Sequence, residues 1–174
     1  MLKDKDGKWV ENLEIAEELW KRTIEETLHG TVRLLQSAEK LLEGGGDEAI
    51  CAGLYTYAVE EYGKILLLKQ YTPSAGKVTI KFKDLFRAHS KKFGAAADNL
   101  PKECTTLKGP VFDPRVFDSR VFDTKEVIAD FEARTAIFYC DLLDSADGIR
   151  PVPQVDMGRL TKAIRTLQTK TLEI

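Results

Sequence analysis

The chain has 174 residues, 43% of them hydrophobic and 31% charged, and a formal net charge of −2. That length supports one domain with a substantial core. The near-balanced charge speaks against coating nucleic acid or an anionic membrane by bulk electrostatics, and the uncharged apolar runs fall far short of the roughly 20 residues that span a bilayer.

The opening stretch, MLKDKDGKWVENLE, is charged and lacks an apolar signal core, so the expected location is the cytoplasm. Residues 10–43 read as helix, because Leu13, Ala16, Leu19, Trp20, Ile24, Leu28, Val32, Leu35, Ala38 and Leu42 recur at steps of three and four. Gly30 leaves open whether this is one helix or two with a break near His29. Gly44-Gly45-Gly46 ends it, and Asp47 is positioned to cap the next.

That next helix, Ile50 to Gln70, is the most apolar long segment. Leu54, Tyr57, Ala58, Glu61, Ile65 and Leu68 fall on one stripe, which places the Glu61 carboxylate where a core residue belongs. Such a group is costly unless a cation or donor meets it. Glu60 and Lys64, four apart, read as a surface pair. Thr72-Pro73-Ser74-Ala75-Gly76 is turn composition. A third helix is expected from about Thr79 to Phe93, with Phe82, Leu85, Phe86, His89 and Phe93 on one stripe. Its other faces carry Lys77, Lys81, Lys83, Arg87, Lys91 and Lys92 against the single acid Asp84, a local basic excess of the kind that contacts nucleic acid.

Residues 94–123 are long for a connection and read as an inserted loop or arm. They hold a five-residue repeat, Val111-Phe112-Asp113, Val116-Phe117-Asp118 and Val121-Phe122-Asp123, whose period fits neither helix nor strand. It is either a slipped surface loop or an arm whose phenylalanines dock on a partner. Asp123 and Glu126 have capping-box spacing for a fourth helix reaching about Ser145, with Val127, Phe131, Arg134, Phe138 and Asp141 or Leu142 on adjoining positions of one face. Asp156 can cap a last helix, about Met157 to Leu172, with Leu160, Ile164 and Leu167 facing inward. The expected fold is therefore all-α: one domain over 1–174, an up-and-down bundle of four to five helices with a long repeat-bearing loop.

Glu61, His89 and Arg134 each put a polar group on an apolar stripe. An Arg, a His and a carboxylate that converge can support RNA cleavage: the imidazole moves the proton and the guanidinium stabilises phosphate charge. The alternative is a buried ion network that fixes helix register. Cys51 and Cys140 read as buried thiols. There is no C-x-x-C or His/Cys cluster, no Walker loop and no G-x-G-x-x-G, so neither a metal nor a cofactor is expected.

Ala58-Val59-Glu60-Glu61-Tyr62-Gly63-Lys64 resembles the A-x-E-E-x-G-K helix of the HEPN domains in AbiV-type abortive-infection proteins. Phe86-Arg87-Ala88-His89-Ser90-Lys91-Lys92 resembles the family's H-x-x-K helix, and Arg134 through Tyr139 and Asp141, followed by Gly148 and Pro151 or Pro153, its R-x-x-A-x-Y-x-D segment. The resemblance spans about residues 20–170. It implies a helical bundle, usually a homodimer, in antiphage defence, and the leading expectation is action on RNA or the translation machinery; the rival expectation is a non-enzymatic interaction module that binds a phage or host protein, with the inward polar residues as a structural network. HEPN proteins are often metal-independent ribonucleases with an R-x(4–6)-H motif. Here Tyr139 stands where that His would be and no His follows, so His89 would supply the imidazole from another helix. On this reading Arg134 binds phosphate, His89 is the acid/base and Glu61 holds it. Lys64, Lys91 and Lys92 contact phosphate, and Tyr139 and Asp141 belong to the substrate site.

Overall fold

A computed structural model describes residues 11–82, Leu85, residues 89–101, Cys104 and residues 157–174. In chain order these form β1 (Asn12–Ala16), α1 (Glu17–Glu43), α2 (Glu48–Lys69), β2 (Lys77–Lys81), α3 (His89–Ala97) and α4 (Met157–Leu172). The described residues are predominantly helical, with one small sheet among them. The expected loop or arm over 94–123 is corrected at its start: residues 94–97 belong to α3, and Ala96, Leu100 and Cys104 are buried in the core, whereas the repeat itself and the helix from Asp123 lie outside the described residues.

α1 and α2 form an antiparallel hairpin. α1 runs unbroken through Gly30. Gly45, at φ 67°, takes the left-handed conformation that lets the chain reverse at little steric cost. Asp47 then starts α2, its side chain accepting from the Ile50 N–H at 3.0 Å. At the hairpin's open end the Trp20 indole N–H donates to the Leu68 carbonyl at 3.0 Å.

The helical expectation holds for most of the described residues and is corrected at two short segments. Residues 12–16 are not the first turns of α1, and residues 79–81 are not the start of a third helix. They pair as antiparallel strands, with Leu13 opposite Ile80 and Ile15 opposite Val78. Each strand has period-two alternation: Val78 and Ile80 are buried while Lys77, Thr79 and Lys81 face out. The Glu17 N–H at the start of α1 donates to the Gly76 carbonyl at 2.9 Å, so the strand turn supplies the acceptor that Ala16 has no side chain to provide. Leu68, Val78, Ile80 and Leu85 form a small core here, with Leu13, Ile15 and Trp20 packed against it.

The main core lies around α2, which is apolar on most sides and so sits centrally. Leu35 and Ala38 of α1, Phe93 and Ala96 of α3, and Leu160, Ile164 and Leu167 of α4 surround Cys51, Ala52, Tyr55, Ala58, Val59 and Tyr62. Cys51 and Cys104 are buried. α3 runs antiparallel to α2: Lys92 meets Glu60, while farther on the Tyr55 hydroxyl donates to the Cys104 carbonyl at 2.8 Å. α4 runs with α2, and Gln168 donates to Glu39 of α1 at 2.9 Å. Fully burying a Leu, Ile or Phe side chain contributes about 1.5–3 kcal/mol, against about 0–1 kcal/mol for an exposed ion pair. Phe93, Leu160, Ile164 and Leu167, all within 1% of full burial, therefore hold α3 and α4 in place far more than the surface charges do. Among the described residues no helix is long and apolar enough to cross a membrane.

Candidate functional site

The polar centre of the core is a glutamate, but it is Glu60 and not Glu61. Glu60 is on the side of α2 that faces α3, and its side chain is 5% exposed. Two α3 side chains one turn apart, His89 and Lys92, converge on the same oxygen: His89 Nδ1 lies 2.8 Å from Glu60 Oε1 and Lys92 Nζ lies 2.5 Å from it. Lys92 is as buried as Glu60, at 5%, whereas the His89 side chain keeps 30% of its surface. The cluster therefore grades from a buried ion pair to a partly exposed imidazole.

Gly63 makes this approach possible. It lies one turn beyond Glu60, against the Lys92 backbone, and a Cβ there would overlap the Lys92 carbonyl. Without that side chain α3 comes down onto α2, and the Lys92 side chain can reach back one turn to the Glu60 carboxylate. Burial, the largest single influence, pushes the Glu60 carboxyl upward. The hydrogen bond and charge of Lys92, then those of His89, outweigh it and hold the group below its ordinary value. Glu60 is thus a buried carboxylate kept ionised by its partners.

Several sequence assignments change. Glu61 does not meet His89. It pairs with Lys64 at 3.1 Å, the two side chains being 30% and 18% exposed. Both line a groove of about 630 Å³ between α1 and α2, with Leu19, Arg22, Glu26 and Arg33 on the α1 side. Lys64 meets Glu61 at i,i+3, and Glu60, expected in a surface pair, turns inward instead. Tyr57, also expected on the inner stripe, is 37% exposed. Lys92 is committed to Glu60 inside the core and is not placed to contact phosphate from solution. Of the basic residues expected on the third helix, Lys77 and Lys81 belong to β2, Lys91 is exposed on α3 and Lys92 is buried, while Lys83 and Arg87 lie outside the described residues. Arg134, Tyr139 and Asp141 lie outside the described residues. The structure thus brings His89 to a carboxylate, but not to the one the apolar stripe singled out.

No protein-family model, curated protein or solved structure matches the chain. Function therefore has to be read from the cluster itself. Among the described residues no group of His, Cys, Asp and Glu side chains could hold a metal ion. What the arrangement offers is an imidazole fixed through Nδ1 by a buried carboxylate, in the manner of a general acid/base held by an orienting acid.

The residue missed from sequence was Glu60. One signal could have found it. His89 and Lys92 sit at i,i+3, so two groups that seek an anion share one helix face, and Gly63 marks where a second backbone comes close. An acid one turn before that glycine is within their reach, and Glu60 occupies that position.

Proposed function

We propose that this chain is an abortive-infection protein of the AbiV-like HEPN kind, acting on RNA as a metal-independent ribonuclease. The observation that carries this reading is the Glu60–His89 contact at 2.8 Å, which anchors a partly exposed imidazole at one ring nitrogen. His89 is the acid/base, Glu60 the residue that orients it, and Arg134, from the resemblance, the phosphate-binding cation. Lys91, exposed next to the cluster, is a candidate for backbone phosphate contact. Following the same resemblance, the protein works as a cytoplasmic homodimer.

The test is cleavage of RNA by the purified protein in EDTA, with His89→Ala and Arg134→Ala compared at equal helicity. Cleavage by the wild type that both variants lose supports the proposal. Cleavage that survives in both well-folded variants contradicts it.

A second reading rests on a different observation, the groove between α1 and α2. Its apolar residues Leu19 and Leu34 are flanked by charges of both signs, a composition suited to a protein partner. On this reading the chain is a non-enzymatic module that binds a phage or host protein, and Glu60, His89 and Lys92 form a structural network. Leu19→Asp, at a residue 53% exposed, should then abolish partner binding without loss of thermal stability. Deletion of residues 111–120 tests the alternative contact through the phenylalanine repeat.

A further inference from the structure

We propose that the outer edge of β1 is a docking site for β1 of a second copy of this chain, the two strands pairing antiparallel across a two-fold axis. The inference stands on the sheet alone and neither draws on nor requires the ribonuclease reading.

The register fixes which backbone groups of β1 are committed. The Phe82 N–H donates to the Glu11 carbonyl at 3.0 Å, and the Glu17 N–H to the Gly76 carbonyl at 2.9 Å. Hydrogen-bonded pairs alternate along an antiparallel ladder, so the bonded pairs between these ends are Leu13 with Ile80 and Ile15 with Val78. Asn12, Glu14 and Ala16 therefore turn their N–H and C=O groups away from β2, and among the described residues no backbone hydrogen bond meets them. The far edge of β2 is covered instead: the Lys77 N–H donates to the Ser74 carbonyl at 3.0 Å and the Lys81 N–H to the Tyr71 hydroxyl at 3.1 Å. Burial agrees. Leu13 and Ile15 are only partly buried, whereas Val78 and Ile80 beside them are 1% and 2% exposed. β1 also lacks the guards of a protected edge. It has no proline, lysine or bulge, and its one charge, Glu14, is paired with Lys77.

Self-pairing centred on Leu13 suits this strand. It sets Leu13 against the partner subunit's Leu13 on the apolar face. In the two hydrogen-bonded pairs Asn12 stands opposite Glu14, where its amide donates to the carboxylate. Centring on Glu14 would oppose two like charges. Centring on Ile15 would bring the second copy's α1, which starts at Glu17, into the ladder.

Two five-residue edges bury less than the roughly 1,200 Å² of a stable specific interface, so the dimer is weak. Sedimentation velocity from roughly micromolar to millimolar protein should show the wild type passing from monomer to dimer. Glu14→Pro removes an outward N–H and leaves the bonds of Leu13 and Ile15 to β2, because proline fits an edge strand when its nitrogen faces solvent. With one donor lost from each copy, association should weaken by about tenfold or more, while Glu14→Ala, which keeps the N–H, should retain most of it. A wild type that stays monomeric across the series overturns the proposal, and so does a dimer that folded Glu14→Pro leaves unchanged. Should Glu14→Pro fail to fold, Leu13→Cys and Ile15→Cys take its place. Facing Leu13 positions would lie about 4.5 Å apart at Cα, within disulfide reach, whereas the two Ile15 positions are offset along the ladder and are not. Oxidised glutathione should cross-link Leu13→Cys into dimers about tenfold faster than Ile15→Cys, and equal rates refute the pairing.

Discussion

Replacing Gly63 with alanine adds one methyl group where α2 and α3 touch. In an ordinary exposed helix that change stabilises by about 1 kcal/mol, because alanine is the better helix former. Here the new Cβ would overlap the Lys92 carbonyl, which is backbone and cannot swing aside as a side-chain tip could. α3 must move away, and the displacement acts on the contacts of Lys92 and His89 with Glu60 Oε1. Overpacking of this kind costs about 1–3 kcal/mol. Weakening one charge-assisted hydrogen bond to a buried carboxylate adds about 1.5–3 kcal/mol. After subtracting the propensity gain, Gly63→Ala should be destabilised by about 1.5–5 kcal/mol, a fall in Tm of roughly 3–20 °C for a domain of this size. Urea unfolding followed by circular dichroism measures it. A variant as stable as the wild type, or about 1 kcal/mol more stable, would refute the close α2–α3 contact and with it the geometry of the site.

Lys92→Met leaves Glu60 as a buried charge without its cation and should cost about 3–5 kcal/mol, whereas Glu60→Gln/Lys92→Met should recover most of that; paired denaturant curves compare them. Because the folded Glu60 value lies below the unfolded one, its contribution to stability is present above about pH 4 and is lost as pH falls through the folded value. The wild type should thus lose more stability between neutral pH and about pH 3 than Glu60→Gln does, as urea midpoints across that range will show. The Glu14–Lys77 pair at 2.6 Å bridges the two strands with both side chains more than half exposed, so Lys77→Ala should cost under about 1 kcal/mol and lose even that in high salt.

Much of the helical architecture was legible because its signals are local. The glycine turn, the Asp47 cap and the inward Leu160, Ile164 and Leu167 of α4 each follow from residues within a few positions of one another. The sheet was not, because β1 and β2 are five residues each and pair across a separation of more than 60 positions, and Leu13 and Ala16 also continue the helical stripe of α1. Nothing local tells whether Leu13 and Ile15 continue that helix or pair with a strand formed much later in the chain. The choice between Glu60 and Glu61 failed for another reason. Consecutive helical positions differ by about 100°, and on a helix apolar on most sides that rotation leaves the hydrophobic pattern almost unchanged. What decides it is the contact of Gly63 with Lys92, which depends on a helix nearly 30 residues away.

The measurement that bears most directly on the site is RNA cleavage in EDTA by Glu60→Gln and Glu61→Gln side by side, at matched helicity. Glu60 contacts His89, whereas Glu61 pairs with Lys64 on the groove. Loss of cleavage in Glu60→Gln, on the order of the 10²–10⁴-fold that acid–base catalysis contributes, with Glu61→Gln close to wild type, is the expected result. Full activity in Glu60→Gln with loss in Glu61→Gln would contradict the account and return the orienting role to the residue that the apolar stripe alone had favoured.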